Sequence, residues 1–115
     1  MRPPLPSILS LTLLALCACL PAHAQSTAAE VTDAQLGVFK RGMELGCRDA
    51  GKQQRQSDAQ AEAFCGCVMK ILNDNVTPAD WRTAYLEDGR GNPAEVQRLI
   101  FGPNAEKFRA CRAPQ

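Results

Sequence analysis

At 115 residues, with 13 basic and 12 acidic side chains, the chain amounts to one small domain, which excludes most enzymes built round a large cleft. A formal net charge of +1 argues against nucleic acid or an anionic membrane surface as the main partner, because both are bound chiefly by Lys and Arg gathered in excess on one face.

The first 24 residues read as an export signal. Met1 and Arg2 give a positive start, residues 8–20 are apolar apart from Ser10 and Thr12, and Pro21-Ala22-His23-Ala24 ends in the small-x-small pattern that a signal peptidase cuts after. Cleavage is expected before Gln25, near Ala24, leaving roughly ninety residues in a bacterial periplasm or outside the cell. An apolar run of about thirteen residues is too short to span a bilayer, so no transmembrane anchor is expected. Leu16-Cys17-Ala18-Cys19 resembles a lipobox, and acylation of Cys19 is the less favoured alternative. Arg2 is the only charged side chain before Gln25, so removing the leader leaves acids and bases in equal number.

Residues 25–31 are small and polar and read as a flexible lead, with a single helical domain over 32–115. Thr32 and Gln35 have capping-box spacing, and Leu36, Phe39, Met43, Cys47 and Ala50 recur at steps of three and four, which predicts a first helix stopping at Gly51. Gly42-Met43-Glu44-Leu45-Gly46 within it has the small-xxx-small spacing of a tight internal helix crossing. Ser57 with Gln60 opens a second helix that buries Ala61, Phe64, Cys65, Val68, Ile71 and Leu72 and ends near residues 73–75. Thr77-Pro78-Ala79-Asp80 starts a third helix, with the hydroxyl as N-cap, proline in the first turn and Trp81, Ala84 and Tyr85 on one face. A flexible loop is expected at 88–92. Asn92-Pro93-Ala94-Glu95 then opens a short helix carrying Val96, Leu99 and Ile100. Gly102-Pro103 breaks it, and Asn104 caps a final helix with Phe108 and Cys111. Nothing reads as a strand. The expected fold is all-α, a small disulfide-stapled bundle of four to five short helices.

Cys47, Cys65, Cys67 and Cys111 remain after cleavage, an even number in a short exported chain, which reads as a framework of two disulfides. Within a helix, Cys65 and Cys67 point about 200° apart and so serve two different neighbours. A 65–67 bridge is disfavoured, because diverging Cβ vectors would have to bend together. Of the two remaining connectivities, the hairpin geometry favours Cys47–Cys65 with Cys67–Cys111.

His23, the one histidine, lies in the leader, so Ser–His, Cys–His and most zinc-hydrolase chemistry are excluded from the exported chain. No cofactor and no metal is expected. The chain reads as a non-catalytic binding or interaction module with a protein partner, in the general format of periplasmic chaperone-like or immunity-type proteins. Trp81, Arg82, Tyr85 and Arg90 are its candidate docking residues, the alternative being that Trp81 and Tyr85 belong to the core. A thiol–disulfide or copper-handling role for Cys65-Gly66-Cys67, with Met43 and Met69 as added soft ligands, is the alternative from another class.

Overall fold

The computed structural model describes residues 27–112 together with Arg2 and Pro3. The rest of the leader, with Cys17, Cys19 and His23, lies outside the described residues. Residues 27–31, part of the stretch expected to form the lead, fold into a 3-10 turn at Ala28–Glu30 in which the Thr27 N–H donates to the Glu30 carboxylate at 3.2 Å. Val31 behind that turn is buried in the core.

Three long helices follow: α1 (Asp33–Gln53), α2 (Asp58–Asn75) and α3 (Pro78–Gly89). Each starts where a side chain satisfies an orphan amide. The hydroxyls of Thr32, Ser57 and Thr77 accept from the backbone N–H groups of Gln35, Gln60 and Asp80, all at 3.1 Å. Gln35 and Gln60 return the bond to the N–H of Thr32 and Ser57, at 2.8 and 3.0 Å, completing two capping boxes.

The stops are less obvious. α1 runs two residues past Gly51 and closes in a Schellman motif: the N–H of Gln56 donates to the Gly51 carbonyl and that of Arg55 to the Lys52 carbonyl, both at 3.0 Å. That closure requires a left-handed residue, and Arg55 fills the place at φ 63°. α3 closes in the same way, with Asn92 bonding back to Glu87 and Gly91 to Asp88, but here the left-handed residue is Gly91 at φ 71°. The expected flexible loop at 88–92 is therefore a fixed turn. Its clamp is Glu87, whose carboxylate takes Arg90 Nη1 at 2.7 Å and Asn92 Nδ2 at 2.9 Å.

After α3 the chain forms one turn of α4 (Pro93–Val96), widens into a π turn at Gln97–Phe101 and tightens into 3-10 turns at Gly102–Asn104 and Lys107–Arg112. Gly102-Pro103 does not break the helical path as expected. Pro103 lacks an N–H and its ring would strike the carbonyl four residues back, and the preceding wide turn makes room for it. Gly102 donates to the Gln97 carbonyl, and a Cβ there would lie 3.2 Å from that oxygen. Asn104 is not the cap of a final helix. It is buried, and its Nδ2 donates backwards to the Ile100 carbonyl at 2.8 Å. Glu95 and Arg98 form a doubly hydrogen-bonded pair on the outside of this segment, which holds the Glu95 carboxyl below its ordinary value.

α1 and α2 form an antiparallel hairpin, registered by Cys47 opposite Cys65 and Gly51 opposite Ala61, with ion pairs Arg48–Glu62 and Lys52–Asp58 alongside. The core continues along the same stripe of α2. There Val68, Met69 and Leu72 meet Leu36, Val76, Trp81, Ala84, Val96 and Ile100, and Leu72, Ala84 and Ile100 are wholly enclosed. Lys107–Arg112 returns to α2, where 3-10 geometry aligns Phe108 and Cys111 on one side. The Lys107 ammonium reaches Asn75 Oδ1 at 2.7 Å.

The two bridges are Cys47–Cys65 and Cys67–Cys111, with Cα separations of 5.8 and 5.6 Å, as the hairpin geometry favours. On the loop-entropy scale, sequence separations of 18 and 44 residues correspond to about 3 and about 4 kcal/mol of stabilisation.

Removing the second bridge with Cys67→Ser and Cys111→Ser should therefore destabilise the fold more than removing the first. It should also release the Lys107–Arg112 turn, seen as lost amide protection in that segment before α2 opens. Arg55→Gly should raise stability by about 1 kcal/mol in urea titrations, because glycine takes the left-handed position without a Cβ clash.

Candidate functional site

All four cysteines expected to matter are bonded, two on α2 and one each on α1 and the C-terminal turn. Cys65 is fully buried, while Cys47, Cys67 and Cys111 keep partial access. In this oxidised form none of these four sulfurs is a thiolate. Met69 is buried in the core and Met43 packs against its edge. Among the described residues no group of three or more His, Cys, Asp or Glu side chains is placed to hold a metal.

The four proposed docking residues do not make one surface. Trp81 is 2% exposed and belongs to the core. Its ring stands edge-on to Phe39 at 6.3 Å and is covered by the Lys40 ammonium 4.5 Å from the centroid, leaving the indole N–H without a partner. Tyr85 packs on the same Phe39 at 5.7 Å and is half-buried. Arg82 reaches across to Asp33 at the start of α1, at 3.7 Å. Arg90 sits past the far end of α3, holding Glu87. The aromatic pair thus anchors α3 to α1, the alternative the sequence left open, and the two arginines serve separate ends of α3.

The concave feature lies elsewhere, at the turn end of the α1–α2 hairpin. An open groove of about 880 Å³ is bounded by Cys47, Ala50 and Gly51 on α1, Gln54 and Gln56 in the turn, Gln60, Ala63 and Phe64 on α2, and Cys111 and Arg112 at the C-terminal turn. Each disulfide contributes one half-cystine to the wall, so the three segments that frame the groove are covalently tied. Arg112 is the single charge in the lining, and the carboxamides of Gln54 and Gln56 make no hydrogen bond among the described residues. Ala50 and Ala63 are exposed although both lie on helices of the hairpin. Residue spacing did place Ala50 on the inward face of α1. It gave no sign that the C-terminal turn would close over that face only in part, because that depends on where Cys111 is tied.

A second unfilled surface runs along the outside of α1. Among the described residues, Val38 and Leu45 are the large hydrophobic side chains left exposed, at 75% and 49%. Gly37, Gly42 and Gly46 lie along the same helix with no neighbouring atom within 4 Å of where a Cβ would sit. The expected tight crossing at Gly42 and Gly46 is absent. It occurs instead at Gly51, where a Cβ would come within 3.0 Å of the Ala61 methyl, because the hairpin register turns the Gly42–Gly46 side away from α2.

Comparison with protein-family models, with curated proteins and with solved structures returned no match. Among the described residues no helix is long and apolar enough to cross a membrane. Two disulfides are compatible with an oxidising, extracellular or secreted setting.

Glycine in an exposed helix interior is disfavoured by about 1 kcal/mol against alanine. Gly42→Ala and Gly46→Ala should each stabilise the dilute protein by about that amount in denaturant titrations. Gly51→Ala should forfeit the gain, since its methyl must displace Ala61 or the Gln56 carboxamide.

Proposed function

We propose that this protein is an exported, non-catalytic binding module that captures an extended polypeptide segment carrying a carboxylate in the groove at the end of the α1–α2 hairpin. It is exported by the leader at residues 1–24, cleaved near Ala24, and matures in an oxidising compartment where its bridges form. The observation that carries the reading is the composition of the groove wall, with apolar patches from Phe64, Ala50 and Ala63 beside the unpaired carboxamides of Gln54 and Gln56 and the lone cation of Arg112. A carboxamide both donates and accepts, which matches the alternating N–H and C=O groups of an extended backbone. Arg112 supplies a guanidinium for one carboxylate, from an acidic side chain or a chain end.

The two disulfides support the same reading. They fix the groove before the ligand arrives, so little ordering of the protein opposes binding. With each of the four described cysteines committed to a bridge, sulfur is read as serving the frame and not the chemistry.

Panning the oxidised protein against short linear peptides should return sequences with an acidic residue or a free C-terminal carboxylate beside an apolar one. Arg112→Glu should weaken these about tenfold or more, the loss expected when a charge-assisted hydrogen bond becomes a repulsion. Ala63→Trp, a change at an exposed position, should fill the groove and abolish binding while the circular dichroism spectrum and melting behaviour stay those of the parent. Binders that tolerate both substitutions, or an absence of binders, would sink the proposal.

A further inference from the structure

The exposed side of α1 is patterned as well as apolar. Val38, Gly42, Leu45 and Asp49 follow one another at steps of four, three and four, which places them along one stripe of the helix, and Arg41 borders it one turn before Leu45. Both Val38 and Leu45 are exposed, so nothing among the described residues covers the stripe. Arg41 and Asp49 are exposed as well, and neither takes part in any of the ion pairs among the described residues.

These two unpaired charges are opposite in sign and stand four residues to either side of Leu45. A two-fold axis through Leu45, perpendicular to the helix, carries position 41 of one copy onto position 49 of another. An antiparallel pair of α1 helices therefore sets Arg41 of each copy against Asp49 of the other, twice over, with Leu45 at the centre. A parallel pair would set arginine against arginine and aspartate against aspartate. We infer that the outer face of α1 is a self-association surface, on which a second copy of this chain docks antiparallel about Leu45.

The packing agrees with the charges. In an antiparallel helix pair, a side chain on the axis enters a gap between residues at i, i+3, i+4 and i+7 of the opposite helix. Here the gap is Gly42, Leu45, Gly46 and Asp49, and its two glycines leave open space where Cβ atoms would otherwise stand. The opposing Leu45 fits that space, and the glycines that intrachain packing leaves unexplained acquire a role. From Val38 to Asp49 the contact is about 17 Å long, at the small end for protein interfaces, so the pair forms at micromolar or higher concentration and is otherwise in exchange with monomer. The surface is separate from the groove, and the inference holds whatever the groove binds.

Sedimentation equilibrium of the oxidised full chain across a concentration series tests it. The wild-type protein should show a monomer–dimer equilibrium. R41D and D49R should each weaken association about tenfold or more, because symmetry turns two attractive contacts into two repulsive ones at once. The double variant R41D/D49R should recover the dimer, and mixing the two single variants should yield a heterodimer, since both contacts in the mixed pair are again of opposite sign. Thermal melts at low concentration establish that each variant is folded, as expected for exposed positions. A protein that remains monomeric throughout, a dimer indifferent to either reversal, or single losses that neither the double variant nor mixing repairs would overturn the inference and leave the stripe to a partner of different sequence.

Discussion

Two half-cystines two residues apart on α2 hold the rest of the molecule in place. Cys65 and Cys67 leave the same helix in widely different directions, so one reaches α1 and the other the C-terminal turn, and neither could serve both. The constraint matters because neither partner segment has an apolar seam wide enough to secure it. α1 is 21 residues long yet buries only Leu36 and Gly51, and the Lys107–Arg112 turn buries none of its residues fully. Helical pieces with so little enclosed surface are marginal on their own, and covalent closure of the loops around α2 offsets what the small core cannot supply.

The same constraint divides labour within the core. Leu72, Ala84 and Ile100, all at 0% exposure, mark the place where α2, α3 and the π turn meet, and this side folds round ordinary apolar contact. The turn end of the α1–α2 hairpin is held by sulfur, and there the surface is loose enough to include a groove. The crossing at Gly51 and Ala61 shows how the two regimes join. A glycine lets α1 approach α2 closely at the turn end, and the bridge four residues earlier holds that approach along the hairpin.

Much of the architecture was legible because local chemistry announces it. A hydroxyl followed three residues later by a glutamine marks a helix start through two reciprocal hydrogen bonds, and Thr32 and Ser57 both act that way. The pairing of cysteines followed from the direction of two Cβ vectors on one helix. Stops were harder to read. Gly51 looked like a terminator and is a contact, whereas the terminating left-handed residue is Arg55, a residue type that seldom adopts that conformation. Residues 88–92 looked mobile from their glycines, but Glu87, just outside the stretch, gathers Arg90 and Asn92 and fixes it. Asn104 has the composition of a cap, yet the wide turn created ahead of Pro103 leaves the Ile100 carbonyl in need of a donor, and the asparagine turns inward to provide it. The groove was not legible at all, since it is a gap between three segments whose separation is set by the bridges.

Trp81 shows why residue type alone does not mark an exposed side chain. Large aromatics beside arginines are common where proteins meet, but in a chain this small the one tryptophan is also the largest single source of buried area. Here α3 uses it to hold α1 through Phe39, with Lys40 laid across the ring, and the exposed apolar side chains lie on the helix that is held. A helix kept in place by a disulfide, by Leu36 in the core and by Phe39 against two rings does not need to bury its remaining faces. α1 can therefore present its inner end to the groove and its outer stripe to solvent without the chain losing its fold. In a protein of this size, covalent bracing is what frees helix surface from the core.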